Sequence, residues 1–161
     1  MKNESRSIST VQMIKLSREE SLGLLARVPM GRIGFTQQAL PVIRPVNHLV
    51  DGDNIVIRTP SGSALQRNTG TDQVVVYEAD QIDPQSYTGW SVMVTGLATQ
   101  ITIEAEADRY RRLLRPWINL NMDHVVRISA EIVTGYRLTH TRPSGQQAAP
   151  TALPEGSEQG G

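Results

Sequence analysis

The sequence predicts a mainly β fold, an antiparallel barrel in a single domain, and three observations carry that prediction. Extended runs rich in β-branched residues fill most of the chain between Gly31 and Thr139. Only two short segments have helical periodicity. The runs follow one another across turn signals instead of alternating with helices, which excludes a doubly wound α/β sheet. Strands this continuous close on themselves or pair with a partner chain, because open edges invite aggregation.

Taken in order, residues 1–10 are polar and read as a flexible N-terminus, residues 11–140 as the domain, and residues 141–161 as a disordered tail. That tail is built of Gly, Pro, Gln, Ser and Ala and has almost nothing to bury. Ser17 and Glu20 stand at capping-box spacing, and Leu22, Leu24, Leu25 and Val28 follow them to Pro29, which predicts a short first helix. Six strand-like runs come next: Arg32–Thr36, Leu40–Val50, Asn54–Thr59, Gln73–Ala79, Trp90–Ile103 and Val125–Thr139. Turn chemistry separates them at Gln37-Gln38, Asp51-Gly52-Asp53-Asn54, Pro60-Ser61-Gly62 and Asp83-Pro84. The second helix is predicted from Glu104 to Trp117, with acids Glu104, Glu106 and Asp108 early and Arg109, Arg111, Arg112 and Arg115 late, as the helix dipole prefers. Tyr110, Leu113, Leu114 and Trp117 form its apolar stripe.

Composition removes whole classes of function. In 161 residues, 16 Lys+Arg balance 16 Asp+Glu, so nothing draws the chain to a polyanion, and no nucleic-acid partner is expected. The longest apolar runs fall far short of the roughly 18 residues needed to cross a bilayer. Met1 to Thr10 has no apolar secretory core, so the expectation is a cytoplasmic protein with no membrane partner. With no cysteine, thiolate chemistry and disulfides are excluded. The only lysines are Lys2 and Lys15, both in the first fifteen positions, which leaves none in the rest of the chain for a Schiff base or a phosphate-loop role. His48, His124 and His140 lack metal-ligand spacing, and no zinc site is expected. Neither a G-x-S-x-G elbow nor a G-x-G-x-x-G or G-x-x-x-x-G-K phosphate loop occurs. Arg109 to Arg115 could be read as a nucleic-acid footprint, but the acids on the same helix favour a solvated face.

Residues Pro41 to Ser63 are more informative. A two-residue turn at Gly52-Asp53 sets Asp51 opposite Asn54, and the same register carries Asn47 to Arg58 and Val46 to Thr59. Arg58 ends an apolar strand and, if it faces inward, needs an anionic or hydrogen-bonding partner. Beyond it Thr59, Ser61, Gly62 and Ser63 supply hydroxyls and a pliant backbone, the materials of a phosphate-binding turn. An ordinary strand end with an exposed Arg is the competing reading. Trp90 and Trp117 are candidate ring-stacking surfaces, against which stands plain core packing.

Four strings, in order along the chain, resemble the pyridoxamine 5′-phosphate oxidase-like flavin-binding proteins: Val28-Pro29-Met30-Gly31-Arg32-Ile33-Gly34-Phe35, Pro41-Val42-Ile43-Arg44-Pro45-Val46-Asn47, Ile55-Val56-Ile57-Arg58-Thr59 and Gly89-Trp90-Ser91-Val92-Met93-Val94-Thr95-Gly96. Leu114-Arg115-Pro116-Trp117 fits the actinobacterial-type members. The resemblance implies a split β-barrel homodimer that holds FMN in a groove between subunits. It places Pro45, Val46 and Asn47 along the isoalloxazine, Arg58 and Thr59 against the flavin, and Ser61, Gly62 and Ser63 at the phosphate; Trp90 is taken with them as a cofactor-binding candidate. Many relatives carry lysine after Gly-Ser or Gly-Thr in that turn, whereas this chain has Gly62-Ser63-Ala64-Leu65. Losing a charged donor worth roughly 1.5–3 kcal/mol predicts about ten- to a hundredfold weaker FMN binding, unless Arg44 or Arg67 substitutes.

The expected function is an FMN-dependent oxidoreductase acting on a small molecule at the dimer interface. Open alternatives are a non-catalytic flavin or deazaflavin module, a haem-like ligand, and a cofactor-free dimeric barrel. Pyridoxamine-phosphate oxidation itself is disfavoured, because only Arg127 and Arg137 are available near the C-terminus for a second phosphate. His48 is the nearest approach to a proton donor, but the hairpin register turns it away from Asn47 and Arg58.

Overall fold

A computed structural model describes residues 10–63, 65, 73–118 and 121–141. The N-terminus and tail expected to be disordered therefore lie outside the described residues, apart from Thr10 and Thr141, and so do Ala64 and Arg67. Thr141 is ordered against Thr10, its N–H donating to the Thr10 carbonyl at 2.9 Å.

Eight strands and two helices are present among the described residues. They are β1 Val11–Leu16, α1 Arg18–Leu25, β2 Met30–Gln37, β3 Leu40–Asp51, β4 Asn54–Thr59, β5 Gln73–Ile82, β6 Gly89–Gln100, α2 Glu104–Leu113, β7 His124–Ser129 and β8 Ile132–His140. All pairings are antiparallel, and the order β6-β5-β2-β3-β4-β7 returns to β6 through a β6–β7 ladder, which closes a six-stranded barrel. β6 achieves this by dividing its length. Gly89 to Thr95 pair with β8, and Ala98 to Gln100 pair with β7. β8 then carries β1 on its far side.

The predicted mainly β barrel is thus observed, with two strands more than expected. The run Val125–Thr139 breaks at Ala130-Glu131, where the chain turns from the barrel wall (β7) onto the outer sheet (β8). β1 was not anticipated, because most of its side chains are exposed and it leaves no buried alternation to read. α1 begins with the expected capping box, Ser17 Oγ accepting from the Glu20 N–H and Glu20 accepting from the Ser17 N–H. α2 stops at Leu113, short of the expected Trp117, because Pro116 disfavours helical geometry in the residue before it. The β2–β3 turn falls at Gln38-Ala39, both in the left-handed region, one residue later than the sequence signal.

The core fills the barrel with Ile33, Phe35, Ile55, Ile57, Tyr77, Val92, Val94 and Ile128, to which α1 adds Leu22, Leu24 and Leu25. A second cluster lies outside, where Ala107, Tyr110 and Leu114 cover Val56 and Val125 on the backs of β4 and β7. Alternation along β4 therefore points Ile55 and Ile57 into the barrel and Val56 toward α2. Arg58 follows Val56 on that second face.

Candidate functional site

The β3–β4 hairpin has the predicted register from Asp51–Asn54 to His48–Ile57 and then ends. The expected Asn47–Arg58 and Val46–Thr59 pairs do not form. β3 stays with β2 as far as Leu40, while β4 stays with β7 as far as Thr59, so the two strands part. Their separation opens a cleft of about 340 Å³ at the barrel mouth, inside the range of roughly 300–1,000 Å³ typical of small-molecule sites. Ile33, Phe35, Ile57, Leu65 and Met122 make it apolar, Pro45 and Val46 form the β3 side, and Trp117 and Ile118 stand beside it from the segment after α2. Polar groups gather at Arg44, Arg58, Thr59 and Ser63.

Of the nine residues expected to hold a cofactor, Pro45, Val46, Arg58, Thr59 and Ser63 line this cleft. Thr59 Oγ1 and Ser63 Oγ share a 2.6 Å hydrogen bond, and the Ser63 N–H donates to the Pro60 carbonyl, closing the turn. Ser61 and Gly62 are exposed at the turn's tip and contribute no wall. Asn47 is turned aside, its Nδ2 donating to the Arg115 carbonyl at 2.7 Å. Trp90 lies in the barrel core, its indole N–H donating to Gln81 Oε1 at 3.3 Å, and does not reach the cleft. Of the two ring-stacking candidates, Trp90 is packed in the core, whereas Trp117 is 52% exposed and stands at the cleft. Pro116, just before it, was the signal that its helix stripe had already ended.

Arg58 points to the α2 side of β4, away from the barrel interior, and is nevertheless buried, at 9% exposed. Its partners are carbonyl oxygens, not an anion. Nε donates to Met122 at 2.6 Å, and Nη1 donates to Leu114 at 2.9 Å and Arg111 at 3.3 Å. A guanidinium here meets the negative end of α2, whose last carbonyls have no partner within the helix. Burial lowers the Arg58 pKa from its ordinary value, and the Asp123 carboxylate opposes that. Arg44 is the other cation of the cleft, its guanidinium 5.9 Å from the centroid of the Phe35 ring.

Two arginines of α2, Arg109 and Arg111, are paired within the molecule. Arg111 bridges Glu104 and Asp108 at 2.6 and 2.7 Å, and Arg109 approaches Asp51 at 3.4 Å. Arg127 pairs with Glu106, and Arg137 borders a separate hollow with Glu19 and Glu20; neither lines the cleft.

His48 is buried on the opposite side of β3. The Leu25 carbonyl can only accept, so Nε2 carries the proton donated to it at 2.8 Å and Nδ1 accepts the Tyr77 hydroxyl at 2.6 Å. Burial depresses the His48 pKa, while the Leu25 bond opposes the shift. In the unfolded chain His48 gains a proton near 6.5, and in the fold only at lower pH. The unfolded state therefore binds more protons below 6.5, and stability falls as the solution is acidified. Urea midpoints are expected to drop between pH 7 and pH 5, and His48→Gln is expected to flatten that fall; an equal slope in both proteins would remove His48 as its cause.

Comparison with known proteins places the chain. Residues 17–143 match the family described as Pyridoxamine 5′-phosphate oxidase. Rv0080, an uncharacterized protein of Mycobacterium tuberculosis, is 48% identical over 134 residues, covering 81% of this chain and 88% of its own. Among solved structures, a Corynebacterium glutamicum protein named for the same oxidase aligns with TM-score 0.67 and 29% identity over 81% of this chain and 96% of its own. A Mycobacterium smegmatis protein described as FAD-binding aligns with TM-score 0.59 and 30% identity over 80% and 98%. The family match runs from the capping box of α1 to the end of β8 and takes in every segment that lines the cleft; the chain belongs to the pyridoxamine 5′-phosphate oxidase family.

Proposed function

We propose that the chain binds FMN in the cleft between β3 and β4, at the interface of a homodimer, and acts as an FMN-dependent oxidoreductase on a small molecule. The observation that carries this reading is the cleft itself. An apolar slot suits a flat ring system, and the Thr59–Ser63 hydroxyl pair with the Arg44 guanidinium suits a phosphate. A structure 30% identical to this chain is described as FAD-binding, which supports a flavin as the ligand class. When bound, a flavin supplies hydride transfer. The chain's part is then to orient the ring, exclude water with Phe35, Ile57 and Met122, and neutralise the phosphate with Arg44 in place of the family's missing lysine.

The homodimer is supported by the outer face of the sheet. Ile43, Gly34, Val76, Thr95 and Ile132 pair in one row across five strands. Ile43 and Ile132 at the ends of that row are 72% and 63% exposed, and Val74 and Met93 beside it are exposed as well. Apolar patches of this kind mark protein interfaces. Ile43 adjoins Arg44 and Pro45 of the cleft, so a second copy seated here would help to wall it.

Purified protein is expected to be yellow and dimeric by light scattering. Excess FMN is expected to raise Tm by roughly 5–10 °C, the gain for a ligand at about a hundred times its Kd. FAD run in parallel distinguishes the two flavins. Arg44→Ala is expected to weaken FMN about tenfold while changing riboflavin, which lacks the phosphate, much less. A colourless protein whose Tm ignores both flavins would instead make this a cofactor-free barrel.

A further inference from the structure

Trp117 stands four residues beyond the end of α2, at the cleft, and is 52% exposed. It has an unusual attachment. Arg58 holds the carbonyls of Arg111 and Leu114 before it and of Met122 after it, and Asn47 holds the carbonyl of Arg115. All four bonds go to main-chain oxygens, so they fix the backbone that presents the indole and leave the side chain to the cleft. The Asn47–Arg58 pair expected from the register does not form, but both side chains reach the end of α2. Two of the three guanidinium nitrogens of Arg58 are spent on these carbonyls. Redirecting them to a phosphate would strand the negative end of the helix.

We propose that Trp117 is the aromatic wall against which the planar ring of the cleft's occupant packs, and that Arg58 is a positioning residue that acts through Trp117 and not on the phosphate. This rests on the flavin reading above. It departs from the role that the family resemblance implies for Arg58, and of the two ring-stacking candidates it assigns the role to Trp117 and not to Trp90. The opposite wall, Pro45 and Val46, is apolar, and the polar groups Thr59, Ser63 and Arg44 remain for the phosphate end.

The test compares Kd for FMN and for riboflavin, read from flavin fluorescence, in the wild type and in Arg58→Lys, Trp117→Ala, Trp117→Phe and the Arg58→Lys/Trp117→Ala double variant. Trp117→Ala is expected to weaken both ligands about tenfold, and Trp117→Phe to recover most of that loss. Arg58→Lys is expected to weaken both ligands by a similar factor, leaving the FMN-to-riboflavin ratio unchanged, and the double variant to bind no worse than the weaker single. A ratio that collapses in Arg58→Lys means that Arg58 grips the phosphate, and overturns the proposal. Wild-type affinity in Trp117→Ala overturns it too. Trp117 is half exposed, so its replacement leaves no buried cavity and keeps the test decisive if Arg58→Lys fails to fold. A wild type that binds neither ligand defeats the flavin reading itself, and that result is visible before any substitution is made.

Discussion

Gly96→Ala is expected to prevent formation of the closed barrel. Gly96 lies where β6 leaves β8 and joins β7, and a Cβ built on it falls 1.6 Å from the carbonyl oxygen of Ser129 and 2.8 Å from its carbon. Neither backbone is free to retreat. Gly96 is paired with Val75 on β5, and Ser129 with Asn54 on β4, while the Ser129 hydroxyl also accepts the Leu97 N–H at 3.2 Å. Relief would require β7 to swing away from β6, which opens the barrel and exposes Ile128 and Val94. The expected cost exceeds about 4 kcal/mol, the far tail for single substitutions and a large share of a typical domain's stability. Gly23→Ala is the internal control. Gly23 sits in α1 with nothing within 4 Å of the added methyl, so it is expected to gain about 0.5–1 kcal/mol from helix propensity. Soluble expression and thermal melts of the pair check this; a Gly96→Ala protein melting like wild type would mean that the β6–β7 closure is not as described.

Arg58→Ala is expected to cost about 3 kcal/mol, lowering Tm by roughly 10 °C. The loss has a definite origin. Three carbonyls that now share one buried cation would be left facing apolar neighbours, and the end of α2 would lose the positive group that complements its dipole. An exposed arginine of the same helix, Arg112, provides the contrast and is expected to change stability by less than about 0.5 kcal/mol when replaced by Ala. Guanidinium denaturation curves of the two variants decide the matter. Equal midpoints would show that Arg58 is not what fastens α2 to the barrel.

These cases also show what could be read from the chain alone. Local chemistry was legible: Ser17 and Glu20 gave the start of α1, and Gly52-Asp53 gave the β3–β4 register. That Arg58 shares a side of β4 with Val56, opposite to Ile55 and Ile57, followed from strand parity. Its partners did not, because Arg111, Leu114 and Met122 are brought to it by a second helix more than fifty positions away. The Ala130-Glu131 corner was equally hidden. Val125–Thr139 is uniformly rich in β-branched residues, and the corner is held by a residue far off in the chain, the Ala130 N–H donating to the Asp53 carbonyl at 2.9 Å. Within the cleft, Pro45, Val46, Thr59 and Ser63 could be anticipated, since all lie on one hairpin and its following turn. Trp117 and Phe35 enter it from elsewhere in the chain, and only the closed barrel brings them together.

The pairing of the first strand with the last imposes an order of events on biosynthesis. Val11 lies opposite His140, so β1 leaves the ribosome long before its only neighbour has been made. At ~5–20 residues per second that delay is roughly 6–25 s. Throughout it, β1 lacks the strand that pairs with it in the fold, and unpaired strand-forming segments are open to capture by other copies. Gln12 and Lys15 make it a poorer target. The sheet is completed only after translation of β8, and a nascent chain stalled before that point carries a strand it cannot shelter.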